Sequence, residues 1–209
     1  MITFVLGGSA SGKSEFAERI AREARGRIIY LATADESDAE MESRIAVHKA
    51  RRPASWDTWE GPVETLPDAT RKLAAGYDLL LLDCLTTYIS ALFMSSQASD
   101  DEIAWAESEK KILNSVSEIF TGFAETARDV PKHLIVVSDE VGCGVVPAYP
   151  MGRRFRDLQG RANQTAAALS DEAVFVAAGL PFRLKTGSIP GTYGSGDAAL
   201  QRVAAHDIS

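Results

Sequence analysis

Unbroken apolar runs alternate along this chain with stretches whose apolar positions recur at helical spacing. Met1 to Leu6, Ile28 to Ala32, Asp78 to Asp83 and His133 to Ser138 are the unbroken runs. Apolar residues without polar alternation predict strands covered on both faces, as in a parallel sheet. Between the first two, Ser14 to Arg25 puts Phe16, Ala17, Ile20, Ala21 and Ala24 on one face and stops at Gly26, which predicts a helix. Further helices are predicted from about Ala39 to Ala50, from Pro67 or Asp68 to Gly76, and around Leu85 to Met94. After a polar link, Ser95 to Asp101, the positions Trp105, Ile112, Val116, Ile119, Phe120 and Phe123 mark a long amphipathic helix, read as a core stripe. Pro53 to Pro67 reads as loop with one extended piece around Trp56 to Trp59. A glycine/proline loop, Val141 to Pro150, precedes a helix that turns Phe155, Leu158, Ala162 and Leu169 inward. Ala173 to Ala177 and Phe182 to Lys185, joined at Gly179-Leu180-Pro181, predict an antiparallel pair.

Strands alternating with helices imply an α/β chain with a mostly parallel central sheet, flanked by helices, with ligands at the strand carboxyl ends. At 209 residues and 45% hydrophobic, one core suffices, and residues 1–185 are expected to form one domain. From Thr186 the composition shifts to Gly, Ser, Thr and Pro, so 186–209 is expected to be a flexible tail. A net charge of −7 argues against a nucleic-acid partner. No run is long enough to span a membrane and no basic segment precedes the first apolar run, so the cytoplasm is the expected compartment. Cys84 and Cys143 both adjoin apolar strands and are expected to be reduced, buried thiols.

The first strand and helix bracket Gly7-Gly8-Ser9-Ala10-Ser11-Gly12-Lys13-Ser14, which fits G-x-x-x-x-G-K-[ST] in full. Strand, glycine turn and helix let backbone N–H groups converge on phosphate oxygens at the positive end of a helix dipole. Lys13 is placed to reach the β- and γ-phosphates, and the Ser14 hydroxyl to ligate Mg²⁺. The four-leucine run delivers Asp83 at a strand end, where a carboxylate can hold Mg²⁺ opposite Ser14. These features predict a P-loop NTPase of RecA-like type that binds a nucleoside triphosphate. Asp139 and Glu140, off a neighbouring strand, are second candidates for substrate positioning or base chemistry, or solvated strand-end acids.

Among the three histidines, His206 falls in the tail and His133 is expected at a strand edge. His48 shares a helix face with Met41 and Ile45, and Arg44, Lys49, Arg51 and Arg52 surround it. Pattern alone leaves two readings. The cations complement a helix C-terminus, or they hold phosphate beside a neutral imidazole able to attack phosphorus.

Several blocks together resemble one family. They are the loop Gly7 to Ser14, the segment Arg44 to Trp56 with its His-Lys-x-x-Arg-Pro core, Leu82 to Thr87, Glu140 to Pro147, and Arg154 to Gln164. The chain over about 1–185 is similar to the bifunctional adenosylcobinamide kinase / adenosylcobinamide-phosphate guanylyltransferase family of cobalamin biosynthesis. The resemblance implies a kinase step with ATP or GTP on adenosylcobinamide. A second step then carries GMP from GTP, through a guanylyl-histidine, to adenosylcobinamide phosphate. By the same resemblance His48 is the nucleophile, and Gly7 to Ser14 contact nucleotide. So do Ala32, Thr33 and Ala34, then Lys49, Ala50, Arg51 and Arg52, then Glu60 and Asp83. It also implies a homotrimer. Two departures are visible: Val47 stands where many relatives carry another histidine, and Asp83 is shorter than the family's usual Glu. The rival expectation is a P-loop small-molecule kinase in which His48 is inert. A RecA-like ATPase module acting on a macromolecule is a further alternative, though no basic stripe or aromatic stacking platform supports it.

Overall fold

The structure, a computed structural model, describes residues 1–33, 52–96 and 102–186. Seven strands form one sheet: β1 (Ile2–Gly7), β2 (Ile28–Ala32), β3 (Asp57–Trp59), β4 (Leu79–Asp83), β5 (His133–Asp139), β6 (Glu172–Ala177) and β7 (Leu180–Lys185). Their spatial order is β3-β2-β4-β5-β1-β6-β7. All pairings are parallel except β6 with β7. Five helices accompany them among the described residues: α1 (Lys13–Glu23), α2 (Leu66–Gly76), α3 (Leu85–Ser95), α4 (Glu102–Thr126) and α5 (Pro150–Leu169). A short 3-10 turn, Val63–Thr65, leads into α2.

The four-leucine strand shows why the apolar runs lack alternation. Successive side chains leave a strand on opposite faces, and both faces here are covered. Leu80 and Leu82 enter a core with Phe4, Leu134 and Val136 beneath α2 to α5, where Leu66, Tyr88, Phe120 and Leu158 close it. Leu79 and Leu81 enter a second core with Val5, Ile135, Val137 and Val176, covered by Phe16, Ala17 and Ala21 of α1. Leu81 is fully buried, and truncating it to Ala would cost about 3 kcal/mol. The stripe on α4 is core as read: Trp105 packs edge-on against Phe93 of α3 with ring centroids 5.4 Å apart.

Parallel pairing aligns the carboxyl ends of β1, β2, β4 and β5 at one edge of the sheet. Ala32 lies opposite Asp83, and Gly7 opposite Asp139. That edge gathers the chemistry. The extended piece near Trp56 is β3, which extends the sheet beside β2. The predicted helix 39–50, most of the 95–101 link and the tail beyond Thr186 lie outside the described residues.

Three expectations are corrected, the first being Leu169, expected inward but exposed at the last position of α5. His133 opens β5, which lies between β4 and β1 in the sheet interior and not at an edge. Its Nε2 is 2.9 Å from Thr3 Oγ1, because the first strand runs alongside it. Cys143 is exposed, since the loop after β5 leaves the sheet before reaching it. Among the described residues, no helix is long and apolar enough to cross a membrane.

Candidate active site

The loop between β1 and α1 is shaped by two glycines. A side chain at Gly7 would put its Cβ 2.5 Å from the Val176 carbonyl oxygen, so the loop can leave β1 only without one. Gly12 adopts φ 89°, in the left-handed region that glycine occupies without strain, and from there caps α1. The β6–β7 turn braces the loop from outside, with Gly179 N–H donating to the Ser11 carbonyl at 2.8 Å. That brace was not legible in the sequence, because it joins residues far apart in the chain. Ser9 and Ala10 are exposed at the tip, and Gly8 follows β1 on the way there.

Lys13 and Ser14 open α1, and each meets an acid from a neighbouring strand. Lys13 Nζ lies 2.5 Å from Asp139 Oδ1 and also donates to the Gly8 carbonyl at 3.2 Å. Ser14 Oγ donates to Asp83 Oδ1 at 3.2 Å. The other carboxylate oxygen, Oδ2, accepts from the Tyr30 hydroxyl at 2.9 Å. Burial first, and then the Asp83 charge, push the Tyr30 phenol well above its ordinary value, so it stays a donor. Over the Tyr30 ring sits Arg52, its guanidinium carbon 3.2 Å from the ring centroid. Arg52 Nε and Nη1 are buried and have no hydrogen-bond partner among the described residues.

Thr33 and Cys84 lock the ends of β2 and β4 together. Thr33 Oγ1 donates to the Cys84 carbonyl at 2.7 Å and accepts from the Cys84 N–H at 3.0 Å. Asp139 is held through its backbone: its N–H donates to Thr86 Oγ1 at 2.7 Å, and its carbonyl accepts from Asn163 Nδ2 at 3.0 Å. Asn163 Oδ1 in turn accepts from Ser138 Oγ and from Gln159 Nε2. Glu140 turns away: its carboxylate accepts from the Gly142 N–H at 2.6 Å, within its own loop.

The structure therefore brings together Gly7 to Ser14, Ala32, Thr33, Arg52 and Asp83, and adds Asp139 from the second rank. Glu60 follows β3 at the same edge and is exposed. Ala34, His48, Lys49, Ala50 and Arg51 lie outside the described residues. Tyr30, Thr86, Gln159 and Asn163 escaped sequence reasoning. Each sits within an ordinary strand or helix pattern, and only the register of distant elements gives it a partner.

The Ser14 hydroxyl and Asp83 carboxylate are hard oxygen donors already within hydrogen-bond distance, and that donor set fits Mg²⁺. No cluster of three or more His, Cys, Asp or Glu side chains able to hold a metal occurs among the described residues.

Comparison with known proteins identifies the family. The chain is 38% identical to the bifunctional adenosylcobalamin biosynthesis protein CobP of Pseudomonas aeruginosa, over 88% of this chain and 98% of that protein. It is 35% identical to CobU of Salmonella typhimurium, over 88% of this chain and all of the relative, and 32% identical to CobU of Escherichia coli over the same shares. Among solved structures it is similar to a prototypical ATPase from the type III secretion system of pathogenic bacteria. There the TM-score is 0.49 at 17% identity, over 87% of this chain and 56% of that one. The RadB recombinase gives 0.47 at 14% identity, over 83% and 73%. Residues 3–184 match the family model for cobinamide kinase / cobinamide phosphate guanyltransferase, and the chain belongs to that family.

Proposed function

We propose that this chain is a bifunctional enzyme of cobalamin biosynthesis that phosphorylates adenosylcobinamide and then guanylylates the product. The observation that carries this reading is Arg52 resting on Tyr30, whose hydroxyl bonds Asp83. It brings the end of the basic block against the P-loop acid. His48 precedes Arg52 by four residues, so covalent geometry keeps the two within about 14 Å. One nucleotide site can thus serve both a phosphate loop and an imidazole nucleophile.

In the kinase half, Lys13 and the loop N–H groups bind the β- and γ-phosphates of ATP or GTP. The corrinoid hydroxyl attacks the γ-phosphorus, and the nucleoside diphosphate leaves. Ser14 and Asp83 would hold Mg²⁺, which when bound offsets charge on the phosphate oxygens. In the transferase half, a neutral His48 nitrogen attacks the α-phosphorus of GTP. A P–N bond forms, the bond from the α-phosphorus to the bridging oxygen breaks, and pyrophosphate leaves. A phosphate oxygen of adenosylcobinamide phosphate then attacks the same phosphorus, the P–N bond breaks, and adenosylcobinamide-GDP is released. Lys49, Arg51 and Arg52 offset charge on the α-phosphate, and the covalent step splits one difficult transfer into two. Assembly as a homotrimer is part of the same reading, and light scattering tests it.

The decisive experiment incubates the protein with Mg²⁺ and α-³²P GTP beside His48→Ala. Acid-labile, base-stable label on the wild type and none on the variant is the expected result. No label on either, from protein that still binds GTP, would leave a kinase alone.

A further inference from the structure

A tyrosine in the middle of a buried strand needs a reason for its hydroxyl. Tyr30 lies in β2 among Ile28, Ile29 and Leu31 and is 2% exposed, so a phenylalanine would fill the same volume without a polar atom to satisfy. Its hydroxyl instead caps one oxygen of Asp83, while Ser14 takes the other. With both oxygens engaged, the carboxylate plane is set. The ring is used as well: its open face carries the Arg52 guanidinium at 3.2 Å, a cation–π contact. The guanidinium is held by the ring while, among the described residues, Nε and Nη1 remain buried and unpaired, a costly arrangement unless an anion completes it.

We infer that Tyr30 is a positioning residue that ties the Asp83 carboxylate of the phosphate site to Arg52 of the basic block, so that the two grip one nucleotide in a fixed relation. Its hydroxyl orients Asp83, and its ring seats Arg52. The two roles are separable because they use different parts of one side chain. Neither the phosphate loop nor the basic block contains this residue. The inference rests on the proposed reading that Asp83 and Arg52 both face nucleotide.

Two substitutions divide the roles. Tyr30→Phe keeps the ring and removes the hydroxyl; Tyr30→Leu removes both. The full chain is titrated with GTP by calorimetry at graded Mg²⁺ and again in EDTA, with circular dichroism confirming that each variant is folded. Losing one hydrogen bond to a charged group predicts that Tyr30→Phe needs about tenfold more Mg²⁺ for half-maximal tightening of GTP binding. Its affinity in EDTA should stay within about twofold of wild type, because the seat of Arg52 is intact. Tyr30→Leu should in addition weaken GTP binding in EDTA by about tenfold. In an Asp83→Asn background the effect of Tyr30→Phe on the Mg²⁺ requirement should vanish. A merely structural tyrosine would lower the melting temperature without splitting Mg²⁺-dependent from Mg²⁺-independent affinity. An unchanged Mg²⁺ requirement in Tyr30→Phe, or an undiminished effect in the Asp83→Asn background, would overturn the inference. A wild-type chain that does not bind GTP would overturn the reading beneath it, and the inference with it.

Discussion

Lys13 Nζ lies 2.5 Å from Asp139 Oδ1, so the lysine of the phosphate loop is paired with an acid from the adjacent strand β5. The two side chains are 11% and 26% exposed, which keeps the pair partly shielded from water. A triphosphate that claims Lys13 must compete with this carboxylate. Asp139→Asn removes the competitor and keeps the shape. Its expected effect is nucleotide binding tighter by about fivefold, measured by calorimetry, with a steeper loss of affinity as salt is raised. Binding that weakens instead would show Asp139 to be part of the grip on nucleotide and not its rival.

Asn163 joins three groups behind the site, linking the Ser138 hydroxyl, the Gln159 amide and the Asp139 carbonyl. Asn163→Ala leaves these buried groups short of a shared partner. The expected cost is about 3 kcal/mol, read from urea unfolding. Since the network fixes the Asp139 backbone, nucleotide affinity should also shift in this variant.

His133 gives the fold a pH dependence of known sign. Burial first, and then the nearby Met1 amino group, lower its imidazole from 6.5 to about 4, against an opposing pull from Asp171. Between these values the unfolded chain takes up a proton that the folded chain refuses. Stability is therefore complete above the unfolded pKa and falls as pH drops from 6.5 towards 4, by about 3 kcal/mol in total. His133→Gln retains a partner for Thr3 and should flatten this part of the profile. The check is unfolding free energy measured at steps across the window for both proteins.

The two cysteines should separate cleanly by reactivity. Cys84 sits at the end of β4, and burial followed by the charges of Asp83 and Asp139 pushes its thiol up to about 11. Cys143 is exposed on the loop after β5. A disulfide-exchange reagent at pH 8 should titrate one thiol rapidly in the folded protein and both in denaturant, because the thiolate is the reacting form. Mapping the fast label to Cys84 would contradict the structure.

Much of this molecule is determined by the chain alone. Apolar runs without alternation specify strands with two covered faces, and the two cores around Leu79 to Leu82 realise that directly. The glycine loop marks a candidate phosphate site because its chemistry is local: the fixed residues are consecutive, and the flanking strand and helix are read from the same window. Asp83 was legible for a similar reason, standing at the end of an unmistakable strand. What the chain could not disclose are contacts that depend on the order of strands in space. His133 reads as an edge residue until β4 and β1 are placed on either side of it. Tyr30 reads as one more apolar position until the register of β2 against β4 sets Ala32 opposite Asp83 and brings the phenol to the carboxylate. Asp139 gains its meaning only when β5 pairs with β1 and delivers it to Lys13. Sequence periodicity reports which face of an element is buried, because burial is a property of one element. Which partner waits on that face is settled by the packing of elements distant along the chain, and there only the tertiary structure decides.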